Sequence, residues 1–195
     1  MTDASSKARN LDETSDNATQ MAELYKLIDG IETAMFTTRM QDGSLVSRAM
    51  QTRQRVKGAD MWFVTNKHSH KLDDLAFDPH VNLAYYKPST SDWVSVSGTA
   101  KVVDDKAKIR ELYQPDLKAW FGDKGDGIHD GGPNDPRIAL IFVQAHSCHY
   151  QVQTKSTPRV LFEIVRGTVT GDRPAVGPLR ELGEKELETA RREEK

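Results

Sequence analysis

Residues 32–54 read ETAMFTTRMQDGSLVSRAMQTRQ. Two runs rich in β-branched residues, 32–39 and 44–54, flank Asp42-Gly43, a pair whose short hairpin turn needs positive φ values. The same rhythm continues downstream. It predicts strands near 60–65 (DMWFVT), 80–87 (HVNLAYYK), 92–103 (DWVSVSGTAKVV) and 137–153, with Gly58-Ala59-Asp60 as a further turn. Two helices interrupt it. One over 69–77 sets Leu72, Leu75 and Ala76 on one side. The other, over 104–121, carries Ile109, Leu112 and Tyr113, then Leu117, Trp120 and Phe121 past a break at Pro115. Many short strands, few helices and no βαβ rhythm predict a mainly β fold with flanking helices, built on a small antiparallel barrel.

Outside the strands the chain changes character. Residues 1–17 are polar and almost without apolar anchors, which predicts a disordered segment. A helix is expected next, with Met21, Leu24, Tyr25, Leu27 and Ile28 at helical spacing and Gly30 as its stop. Its stripe needs a sheet or a partner to cover it. The barrel domain is expected to span 18–153, with 122–136 (GDKGDGIHDGGPNDP) as a lid or surface loop. One more apolar helix is expected within 154–170, and 171–195 reads as a solvated polar tail with at most a polar helix.

Acids and bases are interspersed and the net charge is -2, so there is no basic footprint for nucleic acid. No apolar run approaches the roughly 20 residues that span a bilayer, and no membrane association is expected. The single cysteine, Cys148, fits a reducing compartment. With no secretory signal at the N-terminus, the expected location is cytoplasmic.

Two segments carry candidate chemistry. In 60–77, DMWFVTNKHSHKLDDLAF, an apolar strand ends at Thr65 and Ser69 stands where a helix N-cap belongs, with His70 and Lys71 at the helix mouth and Lys67 just before it. A helix N-terminus with adjacent cations suits a phosphate; a capped helix with solvent-facing lysine is the plainer alternative. In Ser47-Arg48-Ala49-Met50-Gln51-Thr52-Arg53, alternation puts Arg48, Met50 and Thr52 on one face and Ala49, Gln51 and Arg53 on the other. Guanidinium groups at a barrel rim suit a phosphate or an anionic ring, unless both snorkel to water.

Taken together, SRAMQ (47–51), MWFVTNKHSHK (61–71), DPHVNLAYYKPSTSDWVSVSGTAKVVDDKAKI (78–109) and LKAWF (117–121) resemble, in order and spacing, the general stress protein branch of the pyridoxamine 5′-phosphate oxidase-like family. The likeness runs from about residue 20 to 153. It implies a split β-barrel of the FMN-binding type, and a homodimer with flavin at the subunit interface. FMN is the implied cofactor, with FAD as the alternative. On this resemblance Ser47 and Arg48 to Gln51 lie along the flavin. Val64 and Thr65 meet its ring or ribityl chain, and Ser69, His70 and Lys71 hold its phosphate. Arg53 stands where the oxidase has a lysine facing flavin and substrate, and Trp93 where it has a glutamine. The grip on pyridoxal phosphate has no counterpart in ELYQPDLKAWFGD, so vitamin B6 oxidation does not carry over. Trp120 and Phe121 are candidates to cap the flavin ring by stacking, with dimer or core packing as the alternative.

The function implied is a flavin-dependent oxidoreductase drawing on NAD(P)H, its substrate unnamed by the sequence. The alternative is a non-catalytic FMN/FAD-binding stress carrier or sensor; a barrel that has lost flavin is a third reading. There is no glycine-rich nicotinamide fingerprint, and no catalytic acid or base stands out. His146, Cys148 and His149 form HSCH on an expected strand, where alternation puts only His146 and Cys148 on one face, and two ligands are too few for zinc. Asp123, Asp126 and Asp130 miss the calcium-loop spacing. No metal is expected.

Overall fold

The computed structural model describes residues 16–153 and 177–193. Apart from Asp16 and Asn17, the segment expected to be disordered lies outside these residues, as does the helix expected over 154–170. The first hairpin pairs β1 (Thr33–Arg39) with β2 (Leu45–Arg55) in the register Thr33↔Gln51 to Arg39↔Leu45. Its turn differs from the sequence expectation. Gly43 N–H bonds to the Met40 carbonyl and Met40 N–H to the Ser44 carbonyl, and only Gly43 takes a positive φ, 86°. Asp42 instead caps the turn by accepting from Ser44 N–H at 2.8 Å. This is the longer glycine-bulge hairpin rather than a two-residue turn.

The remaining barrel strands are β3 (Met61–Asn66), β4 (His80–Lys87), β5 (Asp92–Val103) and β6 (Ile138–Gln151). All pair antiparallel in the order β3-β2-β1-β4-β5-β6, and pairing of β3 with β6 closes the ring. Closure removes the exposed edges that an open sheet must protect. Alternation points Ala34, Phe36, Phe63, Leu83, Tyr85 and Val96 inward. Phe36 and Phe63 meet edge to face at 5.3 Å, and the Tyr85 hydroxyl is satisfied by Thr52 and by the Met61 sulfur. A bulge between β5 and β6 at Ser97/Gly98 makes His146 the extra residue, so it does not share a face with Cys148 as plain alternation predicts.

Helix α1 (Asn17–Ile31) is capped by Asp16, which accepts from Thr19 N–H, and its Met21, Leu24 and Ile28 enter the barrel core. Its stripe is therefore covered within the chain. Gly30 does not stop it; the helix ends at Ile31 with Glu32 at φ 62°. The short helices α2 (Lys71–Phe77), α3 (Lys106–Leu112) and α4 (Leu117–Phe121) follow β3 and β5. Ile109 and Leu112 of α3 build a second small core on Ile138 and Leu140 of β6, with Trp62, Val64, Tyr113 and Phe121 at its margin.

The reading of the C-terminus as a solvated tail is corrected for 177–193. Strand β7 (Leu179–Leu182) extends the sheet by pairing with the second half of β6, Cys148↔Leu182 to Gln151↔Leu179. Helix α5 (Glu184–Glu193) then buries Leu187 and Ala190 in the main core. Few apolar residues are needed for this, because backbone pairing and a buried ion pair contribute alongside them.

Candidate functional site

Where β2 and β3 run beside α2 and α4, they enclose a cavity of about 450 Å³. That volume lies in the range of small-ligand and cofactor sites. Ala49, Met50, Gln51 and Arg53 of β2 line one side, and Val64 and Thr65 of β3 the floor. Lys71 of α2 and Trp120 of α4 also line it. These eight residues, singled out from scattered stretches of sequence, converge on one space. Thr33, Asn66, Leu117 and Phe121 also line it. Phe121 was flagged by its pairing with Trp120; Thr33, Asn66 and Leu117 carry no signal that separates them from ordinary strand, turn and core residues.

The electrostatic centre of the cavity is Lys71. Its ammonium donates to the Thr65 hydroxyl at 3.0 Å, and among the described residues no carboxylate pairs with it. Burial, and secondarily the neighbouring Arg48, lower its pKa from the usual lysine value. A desolvated cation with a cationic neighbour and no counter-ion favours an anion in the space before it. Arg48 itself turns inward, away from the cavity lining. Its guanidinium donates to Thr38 at 2.8 Å and to Asp74 at 3.1 Å, and Thr38 in turn donates to Asp74 at 2.8 Å. Its role is support behind Lys71.

The helix-terminus part of the anion site is corrected. Ser69 is not the N-cap: α2 begins at Lys71, and His70 occupies the cap position without a side-chain bond. The turn is organised by Asn66, whose side chain accepts from His68 N–H and whose carbonyl accepts from Ser69 N–H. The N–H groups of Leu72, Asp73 and Asp74 are already bonded to the Ser69 and His70 carbonyls, and Asp73 and Asp74 bring negative charge to the first turn. Of Ser69, His70 and Lys71, only Lys71 lines the cavity. The His70 ring is 97% exposed beside Asp73 and does not reach the cavity.

Two other expected residues lie elsewhere. Ser47 shares a hydroxyl hydrogen bond with Thr37 on the outer face of the hairpin. Trp93, at the start of β5, donates its indole N–H to Gln151 at 3.0 Å. Arg53 borders the cavity, but its charge is engaged by Asp116 in a two-pronged pair at 2.8 and 3.0 Å. His146, Cys148 and His149 also separate: His146 contacts Thr99, Cys148 is buried in the core, and His149 faces Glu181. Among the described residues no helix is long and apolar enough to cross a membrane.

Comparison with known proteins places this architecture. A family model described as pyridoxamine 5′-phosphate oxidase like matches residues 19–175. Protein bli-3 of Neurospora crassa is 40% identical over 187 residues, covering 95% of this chain and 90% of that protein. A solved protein from Clostridium acetobutylicum, related to general stress protein 26, superposes with a TM-score of 0.60 at 17% identity, over 72% of this chain and 93% of that one. The general stress FMN/FAD binding protein from Xanthomonas citri gives a TM-score of 0.56 at 24% identity, over 69% of this chain and 89% of that one. At such identities the two structures speak for the split-barrel fold alone. The model match, which runs through every barrel strand, goes further: this chain belongs to the pyridoxamine 5′-phosphate oxidase-like family.

Proposed function

We propose that the chain binds FMN in the cavity between β2, β3, α2 and α4, with the phosphate at Lys71 and the ring toward Trp120. The observation that carries this reading is a cavity lined both by the Lys71 ammonium, which meets no carboxylate among the described residues, and by the aromatic Trp120 and Phe121. A flavin nucleotide suits both, with a dianionic phosphate at one end and a flat ring at the other. The residues fit the group: Val64 and Met50 are apolar, and Gln51 and Asn66 offer amide donors and acceptors. A solved relative described as FMN/FAD binding supports the same ligand class, with FAD as the alternative.

The site is completed, on this reading, by a second copy of the chain. Thr33, Ala49 and Gln51 line the cavity and also belong to the outer face of the β1–β2 hairpin. That face continues through Met35, Ala84 and Ser95, and Met35 is 45% exposed. A flat patch of small side chains bordering the cavity suits a homodimer whose subunits close each other's flavin sites.

A bound flavin supplies a two-electron redox centre, so the protein is proposed to be a flavin-dependent oxidoreductase taking electrons from NADH or NADPH. One observation favours the second reading, a stress-associated carrier or sensor. Among the described residues, only Arg53 and Lys71 bring ionisable side chains to the cavity, Arg53 is paired with Asp116, and no histidine or carboxylate lines it.

Two measurements test these readings. Purified protein should show a flavin absorption band, and mass analysis should identify FMN; a colourless protein that takes up neither FMN nor FAD rejects the proposal. Anaerobic mixing of loaded protein with NADH or NADPH then separates enzyme from carrier. Loss of the band within about a second, saturating in donor, is the expectation for a reductase. Bleaching over many minutes makes it a carrier.

A further inference from the structure

Helix α4 has only five residues, far fewer than a helix needs to hold itself in water. It is tied at both ends. At its start, Asp116 has no side-chain capping bond, and its carboxylate is taken by Arg53: Nη1 to Oδ1 at 3.0 Å and Nη2 to Oδ2 at 2.8 Å. Arg53 also reaches Gln114 at 2.9 Å, and its own side chain is 5% exposed. At the other end, the Phe121 and Gly122 carbonyls accept from Nη1 and Nη2 of Arg137, each at 2.8 Å. Carbonyls at a helix C-terminus lack intrahelical donors, so this is a tight cap. Arg137 is aimed by Asp135, which it meets at 2.6 and 3.0 Å in an enclosed pair.

A third tie comes from the loop after α4. Gly131, at φ 72°, lies against the Lys118 backbone, where an added Cβ would be 3.2 Å from Lys118 Cα. Its N–H is held by Asp135 and its carbonyl by the Tyr113 hydroxyl. The segment expected as a lid thus folds back onto α4 and holds it. Leu117 and Phe121 pack inward, while Trp120 borders the cavity with 83% of its surface exposed. Side-chain packing does not hold Trp120. The ties hold the backbone that carries it.

We propose that Arg53 and Arg137 are positioning residues that clamp α4 as a fixed aromatic wall, setting Trp120 against the ring of a flavin bound in the same subunit. The inference rests on the flavin reading above. It assigns Arg53 a different part from a cation facing the ring: its charge is spent on Asp116. Preorganising an exposed aromatic in this way spares the entropy of ordering it when ligand binds.

The test uses the full chain with Trp62 and Trp93 changed to Phe, leaving Trp120 as the sole tryptophan. Anisotropy decay and acrylamide quenching of Trp120 are measured without flavin, then the fluorescence of bound riboflavin, which an adjacent indole quenches. Arg53→Gln and Asp116→Asn should each raise the fast nanosecond amplitude of Trp120 and brighten bound riboflavin severalfold. The exchanged pair, Arg53→Asp with Asp116→Arg, should recover much of both. Arg137→Lys, which keeps the charge but loses the two-pronged cap, should act in the same direction. Folded Arg53→Gln and Asp116→Asn proteins with parental anisotropy and parental quenching would overturn the clamp, even if melting falls. A parent that binds neither riboflavin nor FMN defeats the flavin reading instead, while the flavin-free anisotropy still judges the clamp.

Discussion

At the scale of single residues, the site depends on one charge, that of Lys71, which meets no carboxylate among the described residues. Lys71 is held in a partly desolvated position by its bond to Thr65, with Arg48 behind it and Asp74 committed to Arg48 rather than to the lysine. Binding a phosphate there returns the missing counter-charge, and a charge-assisted hydrogen bond contributes roughly 1.5–3 kcal/mol. Lys71→Ala should therefore weaken FMN about ten- to a hundredfold by fluorescence titration. Riboflavin should hardly notice; equal losses for both ligands would mean that the phosphate does not meet Lys71. The pH dependence has a definite sign. Burial and Arg48 lower the lysine pKa, and the anion prefers the protonated form. FMN affinity should fall as pH rises through that depressed pKa, below the ordinary lysine range. A Lys71→Ala protein should show no such alkaline decline.

Among the elements, the C-terminal pair β7 and α5 makes the clearest demand on stability. Asp60, next to the turn before β3, accepts from Ala145 N–H at 2.9 Å and from Arg191 of α5 at 2.7 and 3.1 Å. Arg191 also donates to the Ala145 carbonyl. Arg191→Ala would leave a nearly buried carboxylate without its cation, a change that costs on the order of 3 kcal/mol. Urea denaturation should show a lower midpoint with little change in slope. An unchanged midpoint would mean that the Arg191–Asp60 pair contributes nothing to the fold. Trimming the final 20 or so residues should likewise destabilise, the reverse of what a solvated tail implies. The sequence hid this element because GEKELETARRE offers only Leu187 and Ala190 as anchors, too sparse a stripe to stand out among charges. The strands were legible because burial on one face imposes an alternation that survives on the page.

For the whole molecule, the central question is what covers the outer face beside the cavity. With the stripe of α1 buried in its own barrel, the case for a partner moves to the patch around Met35, Ala49 and Ala84. Light scattering on flavin-loaded protein should give about twice 21.9 kDa, and Ala84→Arg should lower both the mass and the flavin affinity. A monomer that binds flavin tightly would sink the shared-site account. The sequence by itself determined the barrel, since strand alternation, turn residues and the order of motifs are local and periodic. It also marked eight of the residues that line the cavity, most of them through the family resemblance that the order of its motifs carries. Only the tertiary structure decided what each charge is for. Arg48 belongs to Asp74 and Arg53 to Asp116, whereas Lys71 alone faces the cavity without a carboxylate among the described residues. Partners 26 and 63 residues apart in the chain leave no periodic trace, and a charge acquires its role only when folding determines which opposite charge it meets.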